Sequence, residues 1–173
     1  MKFDAKLIAK IAIFTAIAYI ISYLEFPIFP TAPFLKLDFS NVFILIGGFA
    51  LGPIPGVIIL IAKEALCLLK TSTVVGQLAN LLIGLSYILL PILVYHFKKG
   101  IKTVIITLSV STVLQVAVGL LVNRFINFPL YGLSVEMFNS LFTVILLFNL
   151  IKAVVISILT ILLYKRIKKL FRI

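Results

Sequence analysis

The sequence predicts an all-α integral membrane protein: a six-transmembrane-helix bundle with cytoplasmic N- and C-termini, built as one membrane domain over residues 1–173. Three observations carry that expectation. Hydrophobic residues make up 63% of the chain and mean hydropathy is +1.29, more apolar surface than a soluble domain of this size hides in its own core. Several apolar runs approach the roughly 20 residues that a helix needs to cross a hydrocarbon layer. The excess positive charge, +11 in all, gathers beside those runs: Lys2, Lys6 and Lys10; Lys98, Lys99 and Lys102; Lys165, Arg166, Lys168, Lys169 and Arg172. Cations so placed follow the positive-inside pattern and meet anionic headgroups of the lipid bilayer, so no nucleic acid is needed to explain them.

The first helix is expected over 5–24. Its apolar run is not followed by a small-residue cleavage site and a polar segment, so it reads as a retained helix rather than a signal peptide. Ala5, Ala9, Ala12 and Ala16 form one stripe along it. Small residues in a stripe let another helix approach closely. Packing within the chain and docking of a different membrane protein both fit.

Between 39 and 69 hydropathy alone allows a single crossing, but Gly52-Pro53-Ile54-Pro55-Gly56 interrupts it with helix breakers. The N-terminus and the Lys98–Lys102 turn should lie on the same side, which requires an even number of crossings between them. Two short helices, 39–51 and 53–69, satisfy that requirement. Helices at 74–96, 103–123 and 139–166 complete the bundle and return the C-terminus to the cytoplasm. The segments Glu25–Asp38, Lys70–Thr73 and Arg124–Glu136 then share the outer face.

Polar residues mark the inward faces. In the fourth helix Gln77, Asn80, Gly84, Tyr87 and Pro91 form a stripe that avoids lipid. In the fifth, Thr103, Thr107, Ser111, Gln115, Gly119 and Asn123 recur every fourth residue, a row suited to an inclined neighbour. The sixth carries Asn149 and Lys152, one turn apart in an apolar run. An ammonium at that depth is costly unless it meets a ligand, pairs with a buried acid, or snorkels through a thinned or wet bilayer. Lys63 and Glu64 are expected to neutralise each other or a neighbour, with no ligand role. The strongest hydrogen-bonding groups lie in the outer half of the bundle, and no chain of acids crosses it. That pattern suits a pocket open to the outside better than a channel or a secondary carrier.

The single cysteine, Cys67, and single histidine, His96, offer no disulfide, metal cluster or catalytic triad. An enzyme is not expected, nor a cofactor.

Four elements together resemble the riboflavin-binding members of the substrate-binding (S) subunits of energy-coupling-factor (ECF) transporters. They are Glu25-Phe26-Pro27, the run Pro33-Phe34-Leu35-Lys36-Leu37-Asp38-Phe39-Ser40, Gly47-Gly48-Phe49 with the Gly52-Pro53 turn, and Phe148-Asn149-Leu150-Ile151-Lys152. The resemblance implies a multi-pass protein of the prokaryotic cell membrane that binds riboflavin from outside. It also implies partners: a transmembrane coupling protein and two cytoplasmic ATPase subunits that hydrolyse the ATP. Ala12 and Ala16 would contact the coupling protein. Asn149 and Lys152 match the element that touches the flavin, Asn123 corresponds to a further flavin-contacting asparagine, and the loop Phe34, Leu35, Lys36, Leu37 and Asp38 would cover the site. Asn80 joins this set from the inward stripe of the fourth helix. Phe34, Leu35 and Leu37 suit the flavin tricycle, and Asn123, Asn149 and Lys152 suit its polar edge. Asp38 suits the ribityl hydroxyls, or it caps the second helix with Ser40. The same architecture could carry another vitamin.

Overall fold

The computed structural model describes residues 4–70 and 73–171, with side chains to Arg166. Lys2 and Arg172, and Thr71 and Ser72 of the expected outer segment Lys70–Thr73, lie outside the described residues. Six helices make up the bundle: α1 (Ala5–Ile21), α2 (Ser40–Leu51), α3 (Pro53–Cys67), α4 (Val74–Phe97), α5 (Ile101–Val122) and α6 (Val135–Phe171). Among the described residues, three helical stretches are long and apolar enough to cross a membrane: Val74–Phe97, Ile101–Leu130 and Val135–Arg166.

Local chemistry sets the boundaries. The Asp4 carboxylate accepts from the Leu7 amide at 2.8 Å and starts α1. The helix stops at Ile21, short of the expected 24, and the backbone leaves it through turns at Ser22 to Leu24. Between α2 and α3, Gly52 takes φ +106°, a conformation side-chain-bearing residues resist, and Pro53 begins the next helix where its missing N–H costs nothing. The α5 rod continues beyond the expected end at 123 through a π-type turn, Asn123–Asn127, and one further turn, Phe128–Leu130. Helix α6 starts before 139 and runs past 166. One element had no clear signal in the sequence. Phe26–Pro27 (β1) pairs antiparallel with Lys36–Leu37 (β2), Phe26 opposite Leu37, folding the loop before α2 into a short hairpin.

Helix α2 occupies the middle, in contact with α1, α3, α4 and α6. Its residues Val42, Ile44, Leu45, Ile46 and Phe49 join Ile59 and Leu60 of α3, Ile88 and Ile92 of α4, and Ala153 and Ile156 of α6 in the main core. Glycines permit this density. A Cβ on Gly48 would lie 2.2 Å from Ile92 Cδ1, and one on Gly56 would lie 3.0 Å from Gly48 Cα. A second cluster, of Ala32, Leu35, Leu37, Phe128, Phe138, Ile145 and Phe148, seats the hairpin loop on the α5 extension and on α6.

The outer surface is apolar too: Ile13, Ile20, Ile106, Val113, Leu121, Ile158 and Leu162 are all more than half exposed. So many large apolar side chains exposed on helices of this length belong against lipid. By contrast Thr103, Thr107, Ser111, Gln115 and Asn123 are buried along one side of α5, as their spacing predicts. Tyr87 of α4 donates to the Ala153 carbonyl at 3.1 Å and lies 2.7 Å from Ser157 Oγ, tying α4 to α6. Near the C-terminal ends of α2, α4 and α6, Phe49, Tyr95 and Tyr164 pack together, with the two tyrosine hydroxyls 2.9 Å apart. That aromatic group closes one end of the bundle.

Candidate functional site

A cavity of about 540 Å³ occupies the opposite end, where the hairpin loop meets α3, α4, α6 and the α5 extension. This is within the range of about 300–1,000 Å³ usual for small-molecule sites. Apolar walls come from Phe34, Leu35, Ala79, Ile83, Leu133 and Phe148, with Tyr131 beside them. Polar groups enter from Asp38, Asn41, Glu64, Gln77, Asn80, Gln115, Asn123, Asn127, Asn149 and Lys152.

Eight of the nine residues picked from the sequence therefore meet here: Phe34, Leu35, Lys36, Asp38, Asn80, Asn123, Asn149 and Lys152. Leu37 does not. In β2 successive side chains point to opposite faces, leaving Lys36 exposed and turning Leu37 into the apolar cluster beneath the loop. Leu37 thus anchors the loop from below.

Charge organises the floor. Asp38 Oδ2 lies 3.6 Å from Lys63 Nζ and 3.8 Å from Lys152 Nζ, and Lys63 Nζ lies 2.9 Å from Glu64 Oε1. Two acids and two amines, all buried, sum to zero formal charge. Pairing offsets the cost of taking these ions out of water. The Asp38 Oδ1 atom accepts from the Ser40 amide at 2.7 Å and from the Ser40 hydroxyl, so the capping role and a place in the cavity coexist. Burial pushes the Asp38 carboxyl up, but the Lys63 and Lys152 ammonium groups and the Ser40 hydrogen bonds outweigh it and hold the carboxyl well below the usual carboxylate range. The partner of Lys152 inside the chain is thus an acid carried by the loop. Lys152 also lies over the Phe148 ring at 5.9 Å.

The asparagines are held by backbone. Asn149 Nδ2 donates to the Ile145 carbonyl at 2.9 Å, and its amide packs on Gly119, where a Cβ would come within 2.5 Å. Asn123 Nδ2 donates to the Gly119 carbonyl at 2.7 Å, while its Oδ1 accepts from Asn127 at 3.0 Å. The π-type turn presents Asn123 and Asn127 to the cavity together; such turns widen a helix by one residue and recur at functional sites. Asn127 and Asn41 escaped the sequence reading: Asn127 continues the fourfold row of α5 but lies past the expected helix end at 123, and Asn41 belongs to no polar stripe. Glu64, expected only to neutralise Lys63, also lines the cavity. At the mouth Glu25 meets Lys36 at 3.1 Å and Lys70 at 3.0 Å, tying the hairpin loop to the end of α3.

The alanine stripe lies elsewhere. Ala5, Ala9, Ala12 and Ala16 are all exposed, so it does not serve packing within the chain.

The site is thus a polar-floored cavity under a loop at one end of an apolar bundle. The model of the ECF transporter, substrate-specific component, matches residues 6–164. The chain belongs to that family. This S component is 36% identical over 170 residues to the riboflavin transporter RibU of Staphylococcus aureus (strain TCH60), covering 94% of this chain and 90% of that protein. It is 27% identical over 176 residues to the riboflavin transporter FmnP of Bacillus subtilis (strain 168), covering 94% and 92%. A solved structure described as the S component of a bacterial ECF transporter superposes with a TM-score of 0.85 at 36% identity, over 97% of this chain and 98% of the other. These relatives are transport components, not enzymes.

Proposed function

We propose that this S component binds riboflavin in the cavity beneath the hairpin loop and acts as the substrate-binding subunit of an ATP-driven ECF importer in the cell membrane. One juxtaposition carries the reading: Asn123, Asn149 and Lys152 face the same space as Phe34, Leu35 and Phe148. A flat, largely apolar tricycle with a polar edge needs that combination. The name borne by its relatives points the same way.

Six crossings with both termini cytoplasmic suit the charge distribution. Lys6 and Lys10 at the start of α1, Lys98, Lys99 and Lys102 at the α4–α5 turn, and Lys165 and Arg166 on α6 lie toward the aromatic-closed end, away from the cavity. The positive-inside pattern puts that end in the cytoplasm and the cavity outside. A pocket closed on the inner side holds cargo but cannot by itself drive it uphill. The driving force belongs to partners: a transmembrane coupling protein and two ATPase subunits. The exposed stripe with Ala12 and Ala16 offers the coupling protein a close helix–helix contact.

Protein purified from cells supplied with riboflavin should be yellow, and flavin-free protein should quench added riboflavin fluorescence to saturation. Colourless protein that ignores riboflavin would defeat the assignment, and tight binding of a different vitamin would replace it. Reconstituted alone in liposomes, the chain should not accumulate riboflavin; accumulation without partners would make it a self-sufficient carrier.

A further inference from the structure

Several buried polar atoms at the cavity have no hydrogen-bond partner among the described residues: Glu64 Oε2, Asn127 Oδ1 and both amide atoms of Gln115. Glu64 is 5% exposed and Gln115 fully buried, so neither is served by bulk water. In Glu64 the other carboxylate oxygen, Oε1, accepts from Lys63, leaving Oε2 an acceptor without a donor on a residue that lines the cavity. Buried polar atoms in native proteins are paired, and one left over beside a binding cavity points to the ligand as its partner.

We infer that Glu64 is a specificity-determining residue whose Oε2 accepts a hydrogen bond from a hydroxyl on the ligand's polyol tail. The inference rests on the riboflavin reading and adds which part of the molecule Glu64 reads. The flavin ring's polar edge carries carbonyl and ring-nitrogen acceptors and a single donor, the imide N–H between two carbonyls. Amides, which offer donor and acceptor together, and the Lys152 ammonium match that mixed edge, whereas an acceptor-only carboxylate opposite the imide would also face two carbonyl oxygens. The ribityl tail carries hydroxyls, each able both to donate and to accept. They suit Glu64 Oε2 directly, and they suit Gln115, whose amide offers one acceptor and two donor hydrogens. Ring and tail are thereby read by different groups of one cavity.

The test compares two flavins that differ only at the tail, riboflavin and lumiflavin, which has a methyl group in its place. Both are titrated by fluorescence quenching against the native chain and against Glu64→Gln. The native chain should prefer riboflavin. In E64Q riboflavin affinity should fall about tenfold, the difference between a hydrogen bond to a charged acceptor and one to a neutral acceptor, while lumiflavin affinity stays within about twofold. Unchanged lumiflavin binding also shows that E64Q is folded. If E64Q does not fold, K63M/E64Q, which removes the ammonium with its partner, supplies the same comparison. A riboflavin-to-lumiflavin preference that is the same in variant and native chain, whether both affinities fall together or neither moves, overturns the inference. Failure of the native chain to bind either flavin overturns the riboflavin reading itself, a result separate from an unchanged preference.

Discussion

Lys152 Nζ of α6 lies 3.8 Å from Asp38 Oδ2, a carboxylate carried by the loop that covers the cavity. The same oxygen lies 3.6 Å from Lys63 of α3. One loop residue thus engages ammonium groups from two helices, and Lys152 reaches both the loop and the cavity. Breaking a buried pair by removing one partner costs about 3–5 kcal/mol when the survivor is stranded. Here Asp38 keeps Lys63 if Lys152 is lost, so substitution at Lys152 should harm binding more than folding.

Lys152→Met should therefore weaken riboflavin binding about tenfold to a hundredfold, the range for a hydrogen bond to a charged group. Helical circular dichroism and elution of the detergent-solubilised protein should not change. Native affinity in this variant would show that Lys152 serves only Asp38.

Asp38 sets the acid limit. Its carboxyl is held below its ordinary value of 3.8, so it binds protons less readily folded than unfolded. Its contribution to stability is complete above that ordinary value and is lost as pH falls through the lowered folded value. Thermal stability in detergent, and the rate at which riboflavin dissociates, should accordingly vary little with pH between about 5 and 8 on account of this group. Asp38→Asn should speed dissociation at neutral pH and remove the Asp38 contribution to any acid-induced change. Dissociation from Asp38→Asn as slow as from the native chain at neutral pH would remove the loop-tethering role.

Gly119 gives Asn149 its place. A Cβ at 119 would stand 2.5 Å from Asn149 Cγ and Oδ1, too close for the amide to stay where it is. Gly119→Ala should reduce riboflavin affinity roughly fivefold to tenfold, about the value of one hydrogen bond, though residue 119 itself lies outside the cavity lining. Titration of the variant decides it, and undiminished affinity would mean that the Asn149 position is not critical.

The exposed alanines allow the opposite outcome. Ala12→Leu or Ala16→Leu should leave riboflavin affinity unchanged while reducing co-purification with the coupling protein, because the added bulk keeps the helices apart. Intact assembly in both variants would remove the docking role.

Gly48 addresses packing alone. Its substitution by Ala would put a Cβ 2.2 Å from Ile92 Cδ1 and 2.7 Å from Cγ1. Overpacking of this kind costs about 1–3 kcal/mol. The melting temperature should drop, and Ile92→Ala should cost less in the Gly48→Ala chain than in the native one; an equal cost in both would place the strain elsewhere.

Much of the architecture was legible along the chain because its signals are local. Apolar runs and the Gly52-Pro53 break mark α1 to α6 to within a few residues, and fourfold spacing from Thr103 to Asn123 marks the buried side of α5. Asn149 and Lys152 were legible for the same reason, since polar residues in an apolar helix are conspicuous. What only the tertiary structure decided is who meets whom. Asp38 sits between Lys63 and Lys152, Glu64 lines the cavity, Leu37 packs beneath the loop, and Gly119 makes room for Asn149. Those contacts join positions far apart in the chain, and they depend on how helices cross and on the pleat of a two-residue strand pair. Hydropathy and periodicity record which side of an element is polar or apolar; the distance between two such sides exists only after the elements have packed.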